Sequence, residues 1–148
     1  MPLVAATLKS GLEACFSAPP PDAAGCAQQW ASAMGSYTSS IVPPSTTVAA
    51  AQGALQTALA SAFAAPNAAP AMESAFASFA LSAGGGMAGA GFAATSPPGP
   101  VGFATLFSGP KPDTHSAAAL QISNAIDAWM RTGIATLVAP PNTPQPWA

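Results

Sequence analysis

Charged side chains are scarce in this chain. Only 5% of the 148 residues are charged, with three Lys or Arg, five Asp or Glu and one histidine, whereas an ordinary soluble domain has about 25%. Three basic residues are too few for the phosphate neutralisation that nucleic-acid binding requires, so nucleic acid is not expected as the main partner. They are also too few for a polybasic membrane patch.

Residue types that carry catalysis are equally sparse. His115 is the single histidine, so one chain cannot supply a histidine-based metal site. The run Asp113-Thr114-His115-Ser116 groups triad-like side chains, but such adjacent residues are more typical of helix capping than of a triad assembled in space. The glycine run at 84–91 lacks the Lys-Ser/Thr pair of a phosphate-binding loop. We therefore expect no enzyme activity and assign no catalytic, cofactor-binding or metal-binding residue.

Two cysteines, Cys15 and Cys26, lie on either side of the proline run 19–21. If the flanking helices pair, the two thiols come close together. The sequence leaves two interpretations open, a disulfide or two small buried apolar side chains.

Alanine dominates the apolar half of the sequence, and the mean hydropathy is +0.37 with a net charge of −2. Disordered chains combine low hydrophobicity with high net charge, so disorder does not fit. A monomer with so few charges has little solvating surface. Three states remain: a subunit covered by other subunits, a membrane protein, or a poorly soluble domain. We favour the first, because exposed apolar surface usually marks an interaction site.

Apolar spacing predicts a mainly α fold of four or five short helices. Asp22 and Thr114 stand where N-caps belong, and Glu73 lies near the N-terminal end of its helix dipole. Predicted helix starts lie at Leu3, Asp22, Ser45 or Thr46, Pro70 and Thr114, and the matching ends at Ser17, Pro43, Pro66, Gly84 and Gly133.

Two segments are predicted to lack regular structure. Residues 84–112 are dominated by Gly, Ala and Pro and predict a long irregular connection, in which short extended pieces near 101–107 stay open. Residues 139–148 contain four prolines and Trp147, which predicts an extended C-terminal arm across a neighbouring subunit. The expected organisation is one helical domain over 1–138 followed by the arm at 139–148.

Four aromatic residues are candidate interface anchors: Phe92, Phe103, Phe107 and Trp147. Aromatic side chains contribute much of the binding energy at protein interfaces, so each is a candidate to fill a pocket of a neighbouring chain. Ordinary packing within the chain is the equal alternative for each of them.

The uncharged stretch Ala75–Thr95 raises the alternative of a small, holin-like membrane protein, because it is long enough to span a bilayer. Its many Ala, Gly and Ser residues insert less favourably than Leu, Ile or Phe. Three consecutive glycines would also weaken a helix by about 1 kcal/mol each. Membrane contact is therefore the less favoured interpretation.

Three segments carry a family resemblance: SSIVPPSTTVAAAQGAL (39–55), PVGFATLFSGP (100–110) and THSAAALQISNAIDAWMRTG (114–133), followed by a Pro-rich end. In these segments the chain resembles small Ala/Pro-rich virion structural proteins of tailed bacteriophages. The resemblance implies a neck, tail or baseplate component, present as a ring of copies in contact with other virion proteins. Residues 1–10 show no secretory signal, which fits synthesis in the host cytoplasm before assembly into the virion.

Overall fold

Helices form most of the computed structural model, which describes residues 3–148. The α-helices are α1 Ala5–Ser17, α2 Ala23–Thr38, α3 Val48–Ala64, α4 Ala68–Gly85, α5 Phe103–Ser108 and α6 His115–Met130. The strands are β1 Phe92–Thr95, β2 Ile134–Leu137 and β3 Pro144–Pro146. The predicted mainly α class is confirmed, and the five predicted helices correspond to α1–α4 and α6.

Local capping chemistry explains where two of these helices begin. The Asp22 side chain accepts a hydrogen bond from Gly25 N–H at 2.7 Å, and the Thr114 hydroxyl accepts one from Ala117 N–H at 3.0 Å. Each bond satisfies a backbone donor that the first helical turn leaves without a partner. Both predicted N-caps are confirmed.

The hydroxyl residues before α3 have a different role from the one predicted. The N-cap is Thr47, whose side chain makes no capping bond to α3. Instead, the Ser45 and Thr47 hydroxyls donate to the carbonyl oxygens of Ala83 and Ser82, both at 2.6 Å. They therefore satisfy carbonyls at the C-terminal end of α4. A capping signal read along the sequence cannot show that its acceptor lies almost forty positions away.

Helices α1 to α4 pack in sequence order, each against the next, and α6 packs against α1. Small residues allow close approach: a Cβ added to Gly11 would lie 2.6 Å from the Ala33 Cβ. Because alanine buries little area, large side chains must fill the remaining space. Trp30 does this at the centre of the core, with its ring centroid 5.7–6.4 Å from the rings of Phe16, Phe63, Phe76 and Phe103.

The three strands form one antiparallel sheet in the order β1-β2-β3. Phe92 stands opposite Leu137, and Ile134 stands opposite Pro146. Residues 84–112 are thus not irregular throughout, because they contain the end of α4, a 3₁₀ turn at Gly86–Ala90, β1 and α5. The prediction missed β1 because this strand is stabilised by a partner strand about forty residues away.

The C-terminal segment is part of the domain rather than an extended arm. Residues 144–146 form β3, and Ala148 exchanges two main-chain hydrogen bonds with Val42, at 2.7 and 3.0 Å. Trp147 belongs to the same hydrophobic core as Leu3. These contacts cross the boundary that the sequence predicted at 138. Proline at 144 and 146 is compatible with β3 because β3 is an edge strand.

The 75–95 stretch is divided among α4, the 3₁₀ turn and β1. Among the helices within residues 3–148, none is long and apolar enough to cross a membrane.

Candidate functional site

The four candidate anchors occupy different environments. Phe103 and Trp147 are 0% exposed, so the chain's own residues cover them. Phe92 is half-buried in β1, and Phe107 is 45% exposed on α5. For Phe103 and Trp147 the structure shows packing within the chain, the alternative to an anchor role. Phe107 is the anchor candidate with the largest accessible ring.

Trp147 lies in a slot formed by two glycines. A Cβ added to Gly133 would lie 2.5 Å from an indole ring atom, and one added to Gly84 would lie 3.0 Å from another. A side chain at 133 would overlap the indole, and one at 84 would contact it more tightly than side chains normally do. No local pattern around Trp147 reveals this slot, because its walls come from the ends of α4 and α6.

Glu73 holds the start of α5 in place. Its carboxylate accepts hydrogen bonds from the main-chain N–H groups of Val101 at 2.7 Å, Gly102 at 2.7 Å and Phe103 at 2.5 Å. Gly102 has a left-handed φ of 100°, which glycine adopts without strain. Glu73 was predicted to compensate the dipole of its own helix. The structure shows instead that it caps the next one, and so positions Phe103 and Phe107.

Phe107 forms the centre of an exposed apolar surface. Its ring stacks on Phe103, with centroids 5.7 Å apart and planes at 28°. It lines a groove of about 280 Å³ between α5 and α6 and a second groove of about 380 Å³ beside the start of α4. We call these two grooves and the ring between them the Phe107 surface. Its lining residues are Pro66, Asn67, Ala68, Ala69, Pro70, Ala104, Leu106, Phe107, Ser108, Lys111, Pro112, Ala118, Gln121 and Ile122.

The electrostatic character of the Phe107 surface is nearly neutral. Lys111 supplies the single charge among the lining residues just named. The remaining lining groups are apolar side chains, one hydroxyl and two amides. Such a surface can bind another protein by burying apolar area, and it offers no arrangement for proton transfer or nucleophilic attack.

Most charged groups of the chain have partners within the chain. Of the three basic and five acidic side chains, six make intramolecular hydrogen bonds or ion pairs, namely Lys9, Glu13, Asp22, Glu73, Asp127 and Arg131. The other two, Lys111 and Asp113, lie in the exposed segment before α6. The chain therefore has few charges, and four of the eight charged side chains are paired in the Lys9–Glu13 and Asp127–Arg131 ion pairs.

A partly buried polar network links α2 to α6. The Tyr37 hydroxyl donates to Asp127 at 2.7 Å, and the Arg131 guanidinium donates to the other Asp127 oxygen at 2.8 Å. Burial and the Asp127 hydrogen bond raise the pKa of Tyr37 well above its usual value, and Asp127 also raises the pKa of Arg131. Arg131 donates further to the Leu3 carbonyl, so this network ties the N-terminal segment to α6.

The triad-like run at 113–116 lies at the start of α6. Thr114 is the N-cap, and His115 is the exposed first residue of the helix. In the part of the chain from residue 3 onward, no group of three or more His, Cys, Asp or Glu side chains is arranged to hold a metal ion. Comparison of the chain with protein-family models, curated proteins and solved structures found no match.

Proposed function

We propose that this chain is a non-enzymatic structural subunit of a symmetric protein assembly, in the neck, tail or baseplate of a tailed-phage virion. The observation that carries the proposal is the nearly neutral outer surface, on which six of eight charged side chains are already engaged within the chain. Protein surfaces with so little charge tend to associate. The sequence resemblance supplies the virion assignment, and copies of the chain and other virion proteins are the proposed partners.

The Phe107 surface is the proposed contact with a neighbouring chain. Phe107 presents 45% of its surface to solvent although its neighbour Phe103 is fully buried. A phenylalanine has about 150–250 Å² of surface that can be buried, so docking would bury on the order of 80 Å² of Phe107 that is now exposed. At about 25 cal/mol per Å², that burial contributes about 2 kcal/mol, or roughly 30-fold in a dissociation constant.

Light scattering coupled to size exclusion tests the proposal on wild type, Phe107→Ser and Leu81→Ser. Leu81 is a matched control because it is 67% exposed but lies about 16 Å further along the α4 axis than Pro70. We expect a discrete wild-type oligomer that Phe107→Ser weakens by roughly 30-fold and Leu81→Ser leaves intact. Circular dichroism checks that both variants keep the wild-type helix content.

Two results would contradict the proposal. A wild-type chain that stays monomeric at every concentration, alone and with co-expressed virion proteins, would remove the assembly role. If Phe107→Ser and Leu81→Ser weakened the oligomer equally, the Phe107 surface would not be the contact between chains. Recovery only from the membrane fraction, with uniform particles only in detergent, would favour the membrane-protein alternative instead.

A further inference from the structure

Cys15 and Cys26 face the same open pocket. Cys15 lies in the last turn of α1 and is 3% exposed, whereas Cys26 lies in the first turn of α2 and is half-buried. Both are free thiols, and they line a pocket of about 560 Å³ between the two helices. The pocket walls are the rings of Phe16, Trp30 and Phe63 together with prolines 19–21.

The two thiols are close enough to interact. Burial raises the pKa of the Cys15 thiol, and the neighbouring Cys26 thiol raises it further. Cys26 itself donates to the Pro20 carbonyl at 3.9 Å. The two helices that carry the cysteines pack against each other, and they approach closely where Gly11 faces Ala33. Two free thiols on neighbouring helices therefore line one open pocket.

We propose that Cys15 and Cys26 are a reversible thiol–disulfide site, which closes into an intramolecular disulfide by exchange with a low-molecular-weight disulfide. The pocket that holds this site shares no lining residue with the Phe107 surface, and the proposal does not depend on the assembly role. Once closed, the bond joins α1 to α2 across the proline turn.

Exchange proceeds in two balanced steps. The Cys26 thiolate attacks one sulfur of the reagent, whose S–S bond breaks, so that a mixed disulfide forms and one reagent thiol leaves. The Cys15 thiolate then attacks Cys26 Sγ, forming the internal S–S bond and releasing the second reagent thiol. The protein loses two hydrogens, and the reagent gains them as two thiols. Cys26 reacts first because it is the more accessible sulfur.

The buried position of Cys15 determines how the second step depends on pH. Only the thiolate attacks, and a raised pKa leaves less thiolate on Cys15 near neutral pH. Closure should therefore accelerate as the pH rises, whereas the mixed disulfide at Cys26 should be longest-lived at lower pH.

Intact-mass measurement of the full chain, after exposure to oxidised glutathione, acid quenching and alkylation, tests the site. We expect the wild-type chain to lose two hydrogens, and both thiols to become protected from alkylation together. Dithiothreitol should restore the two free thiols. Cys15→Ser should stop at the glutathione adduct, and Cys26→Ser should remain largely unmodified. A wild-type adduct that persists at high pH, a disulfide-linked dimer on non-reducing electrophoresis, or two freely alkylated thiols would each overturn the proposal. Because the wild-type result alone decides it, the test does not depend on the folding of the variants.

Discussion

Replacement of Trp147 by alanine measures how strongly the C-terminal segment is held in the core. The indole is fully buried, with its ring against Gly84 and Gly133. Its main-chain N–H donates to the Gly133 carbonyl at 2.9 Å, and the next residue, Ala148, is paired with Val42. The substitution leaves these main-chain bonds in place and removes only the side chain that fills the slot.

The expected loss is large. Truncation of a buried tryptophan to alanine costs about 3–5 kcal/mol of unfolding free energy, because lost burial and the remaining cavity add together. A domain of this size has a stability of about 5–15 kcal/mol. At about 2–4 °C per kcal/mol, the melting temperature should fall by about 6–20 °C. Removal of all residues after Leu137 should cost at least as much, because β3 is lost as well.

Trp147→Phe is the matched control. Within the described residues, the indole N–H of Trp147 has no hydrogen-bond partner. Phenylalanine keeps an aromatic ring in the slot, but the ring is smaller and some packing is lost. It also removes the unpaired buried donor, which is stabilising. The two effects partly cancel, so the net loss of unfolding free energy should stay within about 1 kcal/mol.

Urea unfolding followed by far-ultraviolet circular dichroism gives the free energies of wild type and both variants. If Trp147→Ala lies within about 0.5 kcal/mol of wild type, as substitutions at unpacked surface sites do, the segment is not packed in solution. The extended arm that the sequence suggested would then be the correct description.

Three further substitutions test the polar contacts. Glu73→Ala leaves three main-chain N–H groups without their acceptor, and we expect a loss of about 2–4 kcal/mol in urea unfolding, with faster proteolysis before α5. Tyr37 is the single tyrosine of the chain, and its raised pKa means that the native state keeps a proton that the unfolded state releases above pH 10. The free energy of unfolding should therefore be unaffected by this group below pH 10 and fall by about 1.4 kcal/mol per pH unit above it. Tyr37→Phe should remove that fall. Absorbance at 295 nm should show tyrosinate only when the protein unfolds. His115→Ala, at an exposed helix start, should change stability by less than about 0.5 kcal/mol, and a larger loss would reveal a contact that its exposure does not suggest.

The helices α1–α4 and α6 could be predicted because their signals are local. Apolar side chains recur every three or four residues, and Asp22 and Thr114 cap the helices that directly follow them. The sheet has no comparable signal. β1 reads FAAT and β2 reads IATL, two short runs of small residues that become strands by pairing across about forty positions. Propensity alone cannot identify such strands.

The same distinction applies to the candidate anchors. Composition singled out four aromatic residues, but long-range partners decide which of them stay exposed. Trp147 is buried because glycine stands at 84 and 133, and Phe103 is buried because Glu73 fixes the turn before it against α4. Phe107 follows Phe103 by one helical turn, so its ring stacks on the buried one and projects beyond the core.

The few charged side chains of this chain contribute directly to the stability of its fold. An alanine-rich core buries little area, so polar contacts must hold the connections between helices: Glu73 holds the start of α5, and Asp127 joins Tyr37 to Arg131. With so few charges in the chain, partly exposed groups such as Arg131 stabilise the monomer and also supply much of its surface charge. The low surface charge that results is the basis of the association that we propose.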